Sequence, residues 1–152
     1  AGGDGMVGNS LVEAVGADVL EGMIATRPGS PDVPGADVFN GLAEDAGIDP
    51  SAVFAAQSYD AAFLLALAIE KNGSADREGL SAALRDVATA PGETILPGEW
   101  EKAKQLLAEG KEIDYQGASG NQEFDDNGDV PGIVVEMAVE DGKFVTKGAV
   151  GE

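Results

Sequence analysis

Three stretches of the chain bring together residue types that could do chemistry. The first runs from Asp125 to Glu136. Asp125, Asn127 and Asp129 stand at the first, third and fifth positions of a calcium-binding loop and Glu136 at the twelfth, a spacing that offers hard oxygen donors to a cation. The sixth position should be glycine for the sharp turn, but it is Val130, with Pro131 behind it, and the flanks read as strands. Asn127-Gly128 is also an ordinary tight-turn pair between strands, so the residues favour a solvated turn over an ion site. The second stretch, Gly3 to Gly8, matches G-x-G-x-x-G. Dinucleotide binding requires a strand immediately before such a motif and a phosphate-facing helix after it. No strand precedes it in the sequence, and Asp4 would set a carboxylate against a pyrophosphate, so a plain glycine-rich loop is the better reading. The third is Ser58-Tyr59-Asp60, the polar interruption before the apolar run Ala61–Ile69. Either these groups satisfy partners at an element junction, or that turn of helix faces a ligand cleft. Phe54 lies five residues before Tyr59, which puts the two about 140° apart on an ideal helix.

Composition narrows the classes. The 152 residues suffice for one domain with a real core. Nine basic against 28 acidic residues give a formal net charge of −19, which argues against nucleic acid, where Lys and Arg must neutralise phosphates. The same charge disfavours anionic membranes and suits a highly soluble protein of the periplasm or a saline setting. With no Cys and no His, thiolate sites, imidazole-bound zinc and hydrolytic triads are excluded. Paired carboxylates such as Asp4 with Asp60 have no motif behind them, so no enzymatic activity and no cofactor are expected. The longest apolar run, Ala61–Ile69, is far short of the ~20 residues of a membrane span.

Several elements must position these residues. Asn9 or Ser10 caps a short helix ending at Gly16, and Val19–Thr26 reads as a strand. Pro28–Gly35 reads as a crossing loop and Ala36–Ala46 as a helix stopped by Gly47. Asp49-Pro50 supplies a cap and a first-turn proline for a long helix reaching Asn72. Asp76–Ala88 and Glu99–Glu109 are further helices, the second striped by Trp100, Ala103, Leu106 and Leu107. From Ile113 the character changes to strands, and Asp141-Gly142 between Ile133–Val139 and Lys143–Thr146 is a strong hairpin signal. The mixed order argues for an α/β or α+β fold.

Taken together, GGDGMVGNSL with VLEGMIAT, then SYDAAFLLALAI, then DYQGASGNQEFDDNGDV and VEDGKFV resemble the C-terminal part of a type I periplasmic solute-binding protein. The similarity is to the Leu/Ile/Val (branched-chain amino acid) receptors that serve ABC transporters, and it runs over essentially the whole chain. It implies an α/β fold: the C-terminal portion of two Rossmann-like lobes joined by hinge crossings. Residues 1–26 would end the C-terminal lobe, 27–112 would form a mainly helical part of the N-terminal lobe, and 113–152 would be strands and a hairpin returning across the hinge. It also implies an extracytoplasmic receptor that delivers an amino acid or related solute to ABC-transporter membrane subunits and does no chemistry on it. The alternative class is a calcium-stabilised acidic structural module.

Carried over residue by residue, Asp4 matches the acidic position that meets the ligand's α-ammonium, with Asp in place of the Glu of the best-known branched-chain receptors. Phe54 falls where the family places an aromatic beside the ligand's side chain. Tyr59 and Asp60 match the motif and take a structural role; no metal ligand is implied. Family members are more than twice this length, and their N-terminal part, absent here, supplies the Ser/Thr groups for the ligand carboxylate. The isolated chain is therefore expected to bind free amino acids no better than millimolar.

Overall fold

The computed structural model describes residues 1–150. The chain resolves into two compact units, one formed by Ala1–Gly29 with the stretch from Gly132 onward, the other by Ser30–Pro131. Ile113–Gly117 accordingly belongs with the helices and not with the hairpin, because its strand partner and its packing partners all lie between residues 30 and 131.

The first unit is built on an antiparallel sheet in the order β1 (Ile24–Gly29), β5 (Ile133–Glu140), β6 (Lys143–Ala149). The β5–β6 hairpin turns on Asp141 and Gly142, both at positive φ (52° and 72°), the backbone that the Asp-Gly pair signals. Helices α1 (Asn9–Val15) and α2 (Ala17–Leu20) precede β1. Here one expectation is corrected. The strand expected over Val19–Thr26 is a single helical turn over Ala17–Leu20, bracketed by Gly16 and Gly22 at positive φ, and extended backbone begins only at Ile24. The strand also takes in Pro28, which had been placed in a crossing loop. That proline sits on the outer strand of the sheet, where a missing N–H is tolerated. The small core of this unit is Leu20, Ala25, Met137 and Val139.

The second unit packs α3 (Pro34–Asp45), α4 (Ala55–Asn72), α5 (Leu80–Ala88) and α6 (Trp100–Ala108) around β2 (Glu93–Ile95), β3 (Ile113–Gly117) and β4 (Gly120–Asn121). β2 and β3 are parallel, β3 and β4 antiparallel. β2 is a strand without a sequence signal: it is three residues long and pairs with a segment beyond α6. Its core gathers Leu64, Leu67, Val87, Ile95, Ala103, Ile113 and Tyr115, with Phe63 and Trp100 packed on it. A second cluster joins Phe39, Ala43, Ala56 and Ala118. The long helix starts at Ala55, not at Pro50: Asp49 Oδ1 instead accepts from the amide and hydroxyl of Ser51 in a separate turn. Similarly α5 opens at Leu80, after Gly79 in the left-handed region, rather than at Asp76.

Candidate functional site

Asp4 sits just past a parallel β-bridge. Gly2 lies beside Ala25: its N–H donates to Ile24 O at 2.9 Å, and Thr26 N–H donates to Gly2 O at 3.1 Å. The chain then passes through a 3₁₀ turn, Asp4–Met6, and enters α1. Asp4 is half-buried, and its Oδ1 accepts the Gly5 amide at 2.7 Å. A loop leaving the carboxyl end of a parallel strand and leading to a helix is where open α/β folds bind ligands. The glycines around Asp4 are informative. A Cβ at Gly3 or Gly5 would meet nothing within 4 Å, and neither has the positive φ that excludes other residues. Their small size leaves open space beside the carboxylate rather than solving a packing problem.

Phe54 is the N-cap of α4, with φ 65° and ψ 9°, in the left-handed region. Ser58 N–H donates to its carbonyl at 2.8 Å, the first bond of the helix. Such backbone in a bulky residue costs about 1–3 kcal/mol. The ring of Phe54 is 44% exposed. The next residue, Ala55, lines an apolar recess of about 260 Å³ together with Phe39, Leu42, Ala43, Ala46, Ile48 and Tyr59.

Asp60 is 1% exposed and is the organising charge of the second unit. Its Oδ1 accepts from Tyr115 Oη (2.7 Å) and Ala118 N (2.8 Å), and its Oδ2 from Ser119 N (2.7 Å), Ser119 Oγ (2.5 Å) and Gln122 Nε2 (3.2 Å). The carboxylate thus caps the bend between β3 and β4. Burial raises the Tyr115 phenol well above the usual tyrosine range, and donation to Asp60 raises it further. Tyr59 Oη accepts the Gly98 amide at 2.8 Å, and its ring stands between Phe39 and Phe63 at 5.3 and 5.7 Å. Its phenol is likewise raised, first by burial. The motif residues Tyr59 and Asp60 therefore hold the fold. A signal for Asp60 was present in the sequence: it falls at helical spacing between Ala56 and Leu64, on the stripe of α4 that is buried.

The acidic stretch closes on itself. Asp125 Oδ1 accepts from the amides of Asn127 (2.8 Å) and Asp129 (2.9 Å), and Asp125 N–H donates to Asp129 O at 2.8 Å. These amides, that of Asp129 foremost, hold the Asp125 carboxyl below its ordinary range. Arg85 fastens the turn to α5 by donating to Asp125 O at 2.7 Å and lying over the Phe124 ring. The geometry is that of a tight turn whose leading carboxylate is engaged by its own loop.

Of the two candidate ligand residues, Asp4 lies in the first unit and Phe54 in the second. Each belongs to a well-defined local structure of its own.

Residues 4–138 match the family model described as the receptor family ligand binding region. A leucine-, isoleucine-, valine-, threonine- and alanine-binding protein of Pseudomonas aeruginosa is 40% identical over 83 residues, 52% of this chain and 21% of that protein. A chemotactic signal transduction system substrate-binding protein, BasB of Halobacterium salinarum, is 33% identical over 72 residues, 47% of this chain and 17% of its own length. The crystal structure of the leucine-binding protein LivK of Thermotoga maritima superposes with a TM-score of 0.65 at 28% identity, over 97% of this chain and 35% of that one. The chain thus spans about a fifth of the curated relatives and about a third of the structural neighbour. No helix among the described residues is long and apolar enough to cross a membrane. With a family model matched from Asp4 to Ala138 and the α/β fold of LivK, this chain belongs to the receptor-family ligand-binding region, the type I periplasmic-binding-protein family.

Proposed function

We propose that this chain is part of an extracytoplasmic solute-binding receptor that captures an amino acid or closely related solute and presents it to the membrane subunits of an ABC importer. The observation that carries this reading is the setting of Asp4: a carboxylate in a loop at the carboxyl end of a parallel bridge, between two glycines that neither φ nor packing demands. Such a carboxylate suits a ligand ammonium, which it would hold by a charge-assisted hydrogen bond. Phe54, aromatic and 44% exposed, is assigned to the ligand's side chain. We assign the unit containing Asp4 to the C-terminal lobe and the unit containing Phe54 to the N-terminal lobe, the remainder of the fold and the ligand's carboxylate site being supplied by a longer chain. The protein acts by binding and closing, with no reaction on the solute and no cofactor. The names of the relatives, all binding proteins, support this class.

The test is calorimetry on the complete receptor with L-leucine, L-valine and L-alanine, before and after Asp4→Asn. Loss of one ionic hydrogen bond at a partly buried site weakens binding by at least about tenfold. An Asp4→Asn receptor with unchanged affinity removes Asp4 from the site. Absence of saturable binding to any of the three removes the amino-acid class itself.

A further inference from the structure

Asparagine followed by glycine is a chemically labile pair. The glycine nitrogen can attack the asparagine side-chain carbonyl, and glycine, with no Cβ, obstructs that attack least. Five asparagines occur in the chain and three precede glycine: Asn40, Asn72 and Asn127. The fold holds the three very differently. Asn40 and Gly41 lie in the middle of α3, where the Gly41 N–H is committed to the helix and is released only when the helix opens. Asn72 closes α4 as a fastener. Its Nδ2 donates to Ser74 O and to Glu78 O, both at 3.1 Å, and Gly73 N–H donates to Glu70 O at 3.3 Å. Nucleophile and leaving group are both tied down there. Asn127 and Gly128 stand in residues 125–132, an unbroken exposed run that belongs to no helix or strand. Gly128 N–H donates to Asp125 O at 3.1 Å, and Asn127 Nδ2 to Asp125 Oδ2 at 3.3 Å. Both bonds stay within one turn open to water, so fraying releases them without disturbing the core.

We propose that Asn127 is a site of spontaneous covalent modification, where the folded protein converts a side-chain amide to a carboxylate through a cyclic imide with Gly128. The step balances with water alone. Hydroxide takes the Gly128 amide proton, the nitrogen bonds to Asn127 Cγ, and the bond from Cγ to Nδ2 breaks as ammonia leaves. Water then opens the imide at either carbonyl. One opening gives aspartate; the other gives isoaspartate, in which the main chain runs through the side-chain carbon. The aspartate product sets a carboxylate against Asp125 where an amide donor stood, in a chain already at −19. Isoaspartate also adds a carbon to the backbone inside the turn that Asp125 N–H closes onto Asp129 O at 2.8 Å. This chemistry is independent of the solute the receptor binds.

The experiment incubates the complete receptor at pH 8.5 and 37 °C, folded and in guanidinium chloride. Peptide mapping over time follows the mass gain of amide to acid and the isoaspartyl peptide, which elutes apart from its isomer. In the folded protein Asn127 is expected to convert at least about tenfold faster than Asn40 or Asn72, the ratio given by ~1.4 kcal/mol of difference in local opening. In the denatured chain, where the fold no longer protects, the three rates are expected to agree within about threefold. Asn40 or Asn72 converting as fast as Asn127 in the folded protein overturns the selection by the fold, as does a lead for Asn127 that persists undiminished in guanidinium chloride. An Asn127 that stays intact in the folded protein while the denatured chain reacts overturns the site. Aspartate formed there without isoaspartate overturns the imide route.

Discussion

Replacing Asp60 by Asn is the sharpest test of how the second unit is held together. The side chains are nearly isosteric, so no cavity opens, and the change is one of hydrogen-bond polarity. Each carboxylate oxygen faces donors only: Tyr115 Oη and Ala118 N at one, Ser119 N, Ser119 Oγ and Gln122 Nε2 at the other. An amide must turn its NH₂ toward one of these sets. At the Oδ2 position it would confront two N–H donors, Ser119 N and Gln122 Nε2. At the Oδ1 position it confronts only Ala118 N, since the Tyr115 hydroxyl can rotate to accept. The second placement is favoured, and it leaves one buried backbone amide unbonded, a cost of about 1–3 kcal/mol. The bonds that survive lose their ionic character, roughly 1 kcal/mol or more in sum. Against this, a neutral amide is easier to bury than a carboxylate, which returns part of the loss.

The net expectation for Asp60→Asn is a destabilisation of about 2–4 kcal/mol, and for Asp60→Ala, which takes the acceptor from all five donors and leaves only Gln122 Nε2 with other partners, somewhat more. At about 2–4 °C per kcal/mol that is a fall in Tm of ~4–16 °C. Urea unfolding followed by circular dichroism should show a lower midpoint with an unchanged slope. Tyr115→Phe in the Asp60→Asn background should cost less than in the parent, because the hydroxyl has already lost its ionic acceptor. An Asp60→Asn protein within about 0.5 kcal/mol of the parent, the range of an ordinary surface substitution, would refute the assignment of Asp60 as the organising charge.

Three further expectations concern other parts of the chain. On helix α3, Gly35→Ala puts a Cβ 2.2 Å from Gly117 O and should destabilise by about 1–3 kcal/mol. Gly41→Ala on the same helix meets nothing within 4 Å and should stabilise by about 0.5–1 kcal/mol, so equal effects in a paired melting experiment would show that the helix does not lie against β3. The raised Tyr115 phenol gives a stability that is fully present below its unfolded value of 10.0 and is lost as pH rises beyond it, because the unfolded chain releases that proton first. Melting temperature should fall from pH 9 to 11, and Tyr115→Phe should flatten that limb; an identical alkaline slope in the variant would contradict the linkage. Finally, with a net charge of −19, raising KCl from 0.1 to 1 M shortens the screening length from about 10 to about 3 Å and should raise Tm by several degrees, whereas a flat salt response would mean that self-repulsion is not limiting.

The parts of the fold legible in the sequence were those fixed by short-range chemistry. Asp141-Gly142 announced its hairpin because both positive φ values are cheap for those residues. Gly16 and Gly47 marked helix ends for the same reason. Where tertiary pairing decides, local reading failed. The three residues of β2 become a strand only because β3 arrives beside them. Val19 looks like strand by propensity, yet the glycines at 16 and 22 make its segment a helical turn. Asp49-Pro50 carries the signals of a helix start, and the structure uses them for an isolated turn while the helix begins five residues later behind an aromatic. At the candidate site the glycine loop around Asp4 was visible as a motif, but its place beside Ala25 required the sheet. The role of Asp60 was readable from its spacing; the conformation of Phe54 was not, since nothing in an aromatic side chain announces a left-handed backbone.

These departures from local rules sort themselves by what compensates them. Asp60 is a charge in a core, and five donors answer it within the same unit. Gly35 and Gly117 weaken a helix and a strand, and the close approach of α3 to the backbone of β3 and of Asp60 to Gly117 explains both. Arg85 stands over Phe124 and binds Asp125 O, which accounts for an arginine on α5. Phe54 is the exception in backbone: at φ 65° its carbonyl still takes the first bond of the long helix from Ser58 N–H, while its ring stays half-exposed.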